Sequence, residues 1–308
     1  VTFDLPHPSL LPAAPSVLED RTGRGRLALR YEDVVQDGRV QLRTMTHAIG
    51  AALWREVLAR HPLAQSLERD RILPILNRIA VEGGGGPVSV RALVDCEACF
   101  DLARTIDERG ELRLRLDMWA TLTGPRSRTH GAPPSESSTP IPLGRVYAEH
   151  VLTRPFAPPA ERKVAALPPD APPTTLRELP WAPPHALASL PADATAIDDA
   201  WAFDAAPIVL GLGHTDSNQH VNSLVYPLLA EEAALRRLAD LGLPLDRYLR
   251  FVDVAFRKPC FAGDRVRVLV RAFRASEDLG VLAAFVPATH TEPDPGDRAY
   301  AYAQLRFA

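Results

Sequence analysis

Eleven prolines fall between Pro155 and Pro191, and they part the chain into two halves that follow one plan. Proline fixes φ and has no N–H to donate, so this density rules out a continuous helix or a central strand and favours extended chain. The stretch reads as a linker over 151–194, long enough to cross a sheet face. Residues 1–150 on one side and 195–308 on the other each read as a strand, a long helix and then several antiparallel strands. That is a duplication in plan with little surviving identity.

In the first half, LALRYEDVVQDGRVQL alternates like a strand around the turn Asp37-Gly38. THAIGAALWREVLARH then predicts a helix over Thr46–His61, with Thr46 as N-cap and Ile49, Leu53, Val57 and Leu58 as its apolar stripe. Strands are predicted over Ile72–Val81, Pro87–Val94, Cys96–Asp107 and Leu112–Leu122, with Val146–Leu152 as a last one. The run Gly83 to Gly86 lacks the Lys-Ser/Thr and the helix of a phosphate loop, so it reads as a flexible hairpin connection. Arg126–Pro142, rich in Ser, Thr, Pro and Gly, reads as mobile.

In the second half, AFDAAPIVLGLG is strand-like and leads to a helix that starts at Gln219 or His220 and ends at Leu241. Pro227 inside that run implies a kink or a later start. Strands are predicted over Tyr248–Lys258, Asp264–Arg274, Gly280–His290 and Ala299–Phe307, with turns at Gly263-Asp264 and Glu277–Gly280.

Composition excludes several classes. With 35 basic and 38 acidic residues the net charge is −3, and no basic stripe interleaved with aromatics suggests nucleic acid. The apolar runs are far short of a membrane span, and VTFDLPHPSLLP lacks a secretory pattern, so a soluble cytoplasmic protein is expected. The numbering begins at Val1, which leaves room for a preceding segment. Three cysteines do not make a disulfide framework. Cys96 and Cys99 form one C-x-x-C inside the strand-like VRALVDCEACFDLARTI. A metal site would need a second ligand pair, so ordinary strand residues are expected and no metal.

The chemistry concentrates in Asp216-Ser217-Asn218-Gln219-His220-Val221-Asn222, at a strand-to-helix junction. A carboxylate serves there as general base, as orienter of the base, or as nucleophile. An imidazole takes and returns a proton near neutral pH. The Asn218 amide donates to a carbonyl or positions water. Backbone N–H groups of His220 to Asn222, at a helix start, would hold an oxyanion. A plain helix cap needs one such residue, not Asp, Asn, His and Asn together.

This motif resembles the acyl-acyl-carrier-protein thioesterases of plants and bacteria, whose signature is close to Asp-x-Asn-Gln-His-Val-Asn-Asn-x-x-Tyr. The chain matches it at Asp216, Asn218, Gln219, His220, Val221, Asn222 and Tyr226, with Ser223 at the second Asn. The stretch from Arg30 to Leu58 resembles the family's first strand and helix. Leu152–Pro168, with Thr153-Arg154, resembles its entry to the linker. Val252–Val266 resembles the strand that carries a Glu-Cys pair in the plant enzymes; Cys260 is kept, and Pro259 stands at the Glu position. The resemblance implies an α+β double hotdog, two repeats of a helix wrapped by an antiparallel sheet. It implies hydrolysis of acyl thioesters of acyl-carrier protein or coenzyme A, with no cofactor, in a monomer or a homodimer.

By that resemblance Asp216, Asn218, His220 and Cys260 are the catalytic candidates. Asn222, Ile49, Leu53 and Trp54 are candidates for substrate binding. Cys260 has a second reading as buried filler, and Lys258 shares its face if the strand continues that far. His214, two residues before Asp216, would share a strand face with it. Tyr226 reads as core, and Glu231 and Glu232 as exposed. The first half has Met45-Thr46-His47 near its helix start and no such motif, so it is expected to be silent and to house the acyl chain. An acidic carrier calls for basic residues, with Arg21, Arg24 and Arg26, or Arg247, Arg250, Arg257 and Lys258, as candidates. Two other classes compete. Hotdog dehydratases or hydratases place His five residues after Asp and carry a Pro after Asn, unlike Asp216 to His220. An inactive acyl-binding protein would be compatible with Pro259.

Overall fold

The computed structural model describes residues 5–128 and 139–308. The chain divides into two compact units, Val1–Ala182 and Pro183–Ala308.

In the first unit, β1 (Thr22–Ala28), β2 (Leu73–Gly83), β3 (Leu93–Ile106), β4 (Leu112–Pro125) and β5 (Pro140–Thr153) form an antiparallel sheet in the order β1-β3-β4-β5-β2. Alternation sets the faces: Val94, Cys96, Ala98 and Phe100 are buried, while Asp95 and Glu97 face Arg26 and Arg24 of β1 across the ladder. The expected strand over Pro87–Val94 is reduced to a bridge from Val88 to Arg126. The glycine run joins β2 to β3, which are not neighbours, so it is not a hairpin connection. The strand-like stretch around Asp37-Gly38 is a 3₁₀ turn, Tyr31–Asp33, followed by a single bridge between Val34 and Val40. Of the stretch expected to be mobile, 129–138 lie outside the described residues, while Arg126 is bridged and 140–142 belong to β5.

The helix expected over Thr46–His61 is not one helix. Helical turns α1 (Leu42–Met45) and α2 (His47–Ile49) run into a π-helical turn, Gly50–Trp54, then a 3₁₀ turn, Leu58–Arg60, before α3 (Pro62–Arg69). Thr46 is not an N-cap: its backbone is helical and its hydroxyl donates to the Arg43 carbonyl at 2.7 Å. Strand β1 explains the place of the π turn. A Cβ on Gly23 would lie 2.0 Å from the Ala52 carbonyl oxygen, and one on Gly25 would lie 2.7 Å from that of Ala51. The strand therefore presses directly on helix backbone at Gly50-Ala51-Ala52, which has no bulky side chain to hold it off.

In the second unit, β10 (Leu249–Phe256), β11 (Arg265–Ala275), β12 (Asp278–Pro287) and β13 (Ala301–Phe307) run in the order β11-β12-β13-β10. This repeats β3-β4-β5-β2. Where the first unit lays β1 along its sheet edge, the second lays three fragments along β11: β7 (Ala194–Ala196), β8 (Ala202–Phe203) and β9 (Ile208–Val209). The strand-like run before the motif is thus cut into short pieces. Each gap carries an aspartate hooked to the helix α4 (Val225–Asp240). Asp198 pairs with Arg237 at 2.5 Å and Asp204 with Arg236 at 2.8 Å.

Helix α4 is continuous and starts later than Gln219 or His220. Pro227 lies in its first turn, where a missing N–H costs nothing. Tyr226, Ala230, Ala233, Ala234 and Leu238 form its buried stripe. Burying Leu238 alone is worth about 1.5–3 kcal/mol. The helix closes with the Leu243 N–H on the Leu238 carbonyl, a Schellman pattern. On the helix, Glu232 is exposed, as expected, and Glu231 is half-buried.

The proline-rich segment is pinned rather than free. Asp170 binds Ser66 and Arg69. Arg177, in the two-residue strand β6 (Arg177–Glu178) beside β3, binds Asp101 at 2.6 Å. These contacts place the linker up to Ala182 with the first unit. Beyond it, Leu187 and Ala188 pack on the cluster of Leu269 and Tyr302. No helix among the described residues is long and apolar enough to cross a membrane.

Candidate active site

The motif forms a closed hairpin corner ahead of α4. Thr215 and Val221 are bridged, the Asp216 N–H donates to His220 O at 3.1 Å, and the Gln219 N–H donates to Asp216 O at 3.0 Å. Asp216 is held at both carboxylate oxygens. Oδ1 accepts the Asn218 N–H at 2.9 Å, and Oδ2 accepts Asn222 Nδ2–H at 3.3 Å. Asn222, expected to touch substrate, therefore lies on the carboxylate. Its pairing with Asp216 was not foreseen; the one signal was their placement at opposite ends of a hairpin-sized motif.

The helix starts at Val225, five residues beyond His220, and this changes the role of the backbone. The Val221 N–H donates to Cys260 O at 2.8 Å and the Asn222 N–H to His214 O at 2.9 Å. Two of the three N–H groups expected to hold an oxyanion are thus occupied. The Asn218 side chain is exposed and His220 is half-buried. His220 Nδ1 lies 3.4 Å from Val221 O. With Nδ1 protonated toward that carbonyl, Nε2 keeps its lone pair for a proton.

The first unit carries the same corner, bond for bond, with different side chains. The Val35 N–H donates to Arg39 O, the Gly38 N–H to Val35 O and the Gln41 N–H to Asp33 O, and Val34 is bridged to Val40. Val35 thus stands where the second unit has Asp216, Asp37 where it has Asn218, Arg39 where it has His220 and Gln41 where it has Asn222. The turn before each corner is closed alike: the Arg30 N–H donates to the Asp33 carboxylate, and the Gly211 N–H to His214 Nδ1. The counterpart of the motif is this corner, not Met45-Thr46-His47. His214 lies on a 3₁₀ turn, Leu212–His214, rather than on a strand, and its ring closes that turn.

Cys260 lies under the corner, fully buried. Burial pushes its thiol up, outweighing the hydrogen bond with Tyr226 that works the other way. A thiol so placed is a poor nucleophile. Strand β10 ends at Phe256, so the argument that Lys258 shares a strand face with Cys260 lapses; Lys258 Nζ sits 4.2 Å from the Tyr300 ring centroid instead. Tyr226 is core, with Phe256 and Phe285 rings 5.3 and 5.2 Å away. Cys96 and Cys99 are three apart on β3 and so face opposite ways. Burial pushes their thiols up to about 12 and about 11.

In the first unit Ile49 and Leu53 are buried, and Trp54 is partly exposed with its ring edge-on to His150 at 5.7 Å. Burial lowers the His150 imidazole to about 4 and keeps it neutral. The two candidate basic groups do not form patches. Arg21, Arg24 and Arg26 are paired with Asp101, Glu97 and Asp95. Arg250 is buried on Asp278, and Arg247 donates to Glu277 O. Arg257 and Lys258 remain exposed beside the corner.

No protein-family model matches the chain, and no curated protein does. Solved structures do. A protein from Lactobacillus plantarum assigned as an oleoyl thioesterase aligns with a TM-score of 0.58 at 14% identity, covering 93% of this chain and 94% of that one. The 12:0-ACP thioesterase from Umbellularia californica aligns at 0.55 and 13% identity, covering 93% and 94%. An acyl-ACP thioesterase from Bacteroides thetaiotaomicron aligns at 0.51 and 13% identity, covering 94% and 99%. The fold is the double hotdog. The α+β architecture expected from the motif is therefore the one found, and it extends over nearly the whole chain.

Proposed function

We propose that the protein is an acyl thioesterase whose active site is the corner of the second repeat, acting on acyl thioesters of acyl-carrier protein or coenzyme A. The observation that carries this reading is Asp216, held at both oxygens beside a half-buried His220, on the fold of the acyl-ACP thioesterases. The first repeat, with Val35 and Arg39 at those places, has neither the carboxylate nor the imidazole and is silent.

Asp216 takes a proton from water as the water oxygen attacks the thioester carbon. The carbonyl π electrons move to oxygen, and the exposed Asn218 amide donates to that oxyanion. The oxyanion collapses, the C–S bond breaks, and the sulfur leaves with the bonding pair. Asp216 hands the proton it took from water to His220, which gives it to the sulfur. The products are a carboxylic acid and a thiol. Cys260 supports the corner through its carbonyl and takes no part in the bond changes.

The test is thiol release from carrier-protein and coenzyme A thioesters of several chain lengths. Asp216→Asn and His220→Ala should lose most of the activity, and Cys260→Ser should keep it. Wild-type release by Asp216→Asn would overturn the site. Addition of water across a 2-enoyl thioester with no thiol release would mark a lyase instead.

A further inference from the structure

We infer that Asn222 is a positioning residue: it aims the Asp216 carboxylate at the attacking water. The inference rests on the thioesterase reading and adds a role that the motif alone does not assign.

Asn222 is held at every other polar group it has. Its N–H donates to His214 O at 2.9 Å, its carbonyl accepts the Val225 N–H at 3.0 Å, and its Oδ1 accepts the Leu224 N–H at 2.8 Å. The Leu224 donor settles which end of the amide is oxygen, so Nδ2 is the end that faces Asp216. That leaves the side-chain NH2 group on a fixed backbone, with Nδ2 3.3 Å from Oδ2. With Oδ1 on the Asn218 N–H, the carboxylate plane is set from two sides. A base whose lone pair is aimed wrongly by about 1 Å loses on the order of 10²-fold in rate.

The first repeat separates this role from folding. Its corner keeps the same backbone bonds around Gln41, with Val35 in place of the carboxylate. The frame therefore closes without an Asn–Asp pair, and the pair is an addition to it.

The experiment uses three variants of the full chain in the thiol-release assay, with kcat, KM and the melting temperature read for each. Asn222→Asp keeps an acceptor for the Leu224 N–H and loses the donor to Asp216. Asn222→Gln keeps the donor but moves it, and copies the residue of the silent corner. Both should lower kcat about tenfold to 10²-fold, KM should stay within about threefold, and the fold should melt as wild type. Wild-type kcat in Asn222→Asp would make Asn222 a cap only and overturn the inference. Asp216→Asn is the control for the reading beneath it. If that variant is inactive while Asn222→Asp is not, the inference fails alone. If Asp216→Asn turns over normally, the site itself fails.

Discussion

Gln219 and Gly38 occupy the same step of two hydrogen-bonded corners, and both hold a left-handed backbone, with φ of 67° and 87°. Glycine adopts that conformation freely, whereas a residue with a Cβ gives up about 1–2 kcal/mol. The first-repeat corner is therefore relaxed at this step and the candidate active corner is strained. Strain of this kind gathers at functional sites.

Replacing Gln219 with glycine should relieve it. Part of the gain is offset by the greater freedom of glycine in the unfolded chain, so the net stabilisation is about 0.5–1 kcal/mol. Gln219→Val, branched at Cβ, should destabilise by about 1 kcal/mol or more. Denaturant unfolding of the two variants beside wild type measures both, and a Gln219→Gly protein less stable than wild type would contradict the account.

The four long strands of each repeat were legible because each alternates or runs apolar between turn residues, as in Leu112–Pro125 and Arg265–Ala275. Helix α4 was legible from its stripe. The first-repeat helix was not, because its course is decided by Gly23 and Gly25, more than twenty residues upstream, pressing on Ala51 and Ala52. Local periodicity carries no record of that contact. The correspondence of the two corners was hidden for another reason. Only Val40 and Val221 are identical between Val35–Gln41 and Asp216–Asn222, while the shared property is backbone hydrogen bonding, which many sequences support. The residues of the candidate site were legible by type; that Asn222 faces Asp216 needed the hairpin closure.

Cys260 decides between two chemistries. Buried fully and pushed up by that burial, it should resist alkylation in the folded protein and react only on unfolding. Iodoacetamide labelling followed by peptide mass analysis, with and without denaturant, reads this directly. Activity should survive the reagent, and Cys260→Ser should keep kcat within about threefold of wild type. Fast labelling of native Cys260 together with loss of turnover would restore it as nucleophile.

The gaps between the strand fragments predict a contrast in ion-pair energies. Asp198 is buried to 4% side-chain exposure on Arg237, and it also accepts the Ala272 N–H at 2.7 Å. Arg237→Ala leaves that carboxylate buried without its cation and should cost about 3–5 kcal/mol. Arg24 and Glu97 form an exposed pair at 2.8 Å, and Arg24→Ala should cost no more than about 1 kcal/mol. Equal losses from the two substitutions in denaturant unfolding would show that burial is not what sets their worth.

Asp117 gives the fold a pH dependence of unusual sign. It is fully buried between strands, with Arg115 at 2.9 Å and Arg177 at 3.5 Å. Burial pushes its pKa up to about 6, against the pull of Arg115 and Arg177. In the unfolded chain the carboxyl titrates near its ordinary value of 3.8. Between these values the folded state holds a proton that the unfolded state has released. This group's contribution to stability is therefore present in full below 3.8 and lost as pH rises through about 6. Asp117→Asn removes the titration while keeping the shape. The stability of wild type minus that of the variant should rise as pH falls from 7 to 4.5, a window of about two to three pH units around the shifted value. Denaturant unfolding at four pH values across that window supplies the difference. A difference that stays flat would mean Asp117 is ionised throughout, with Arg115 and Arg177 outweighing burial.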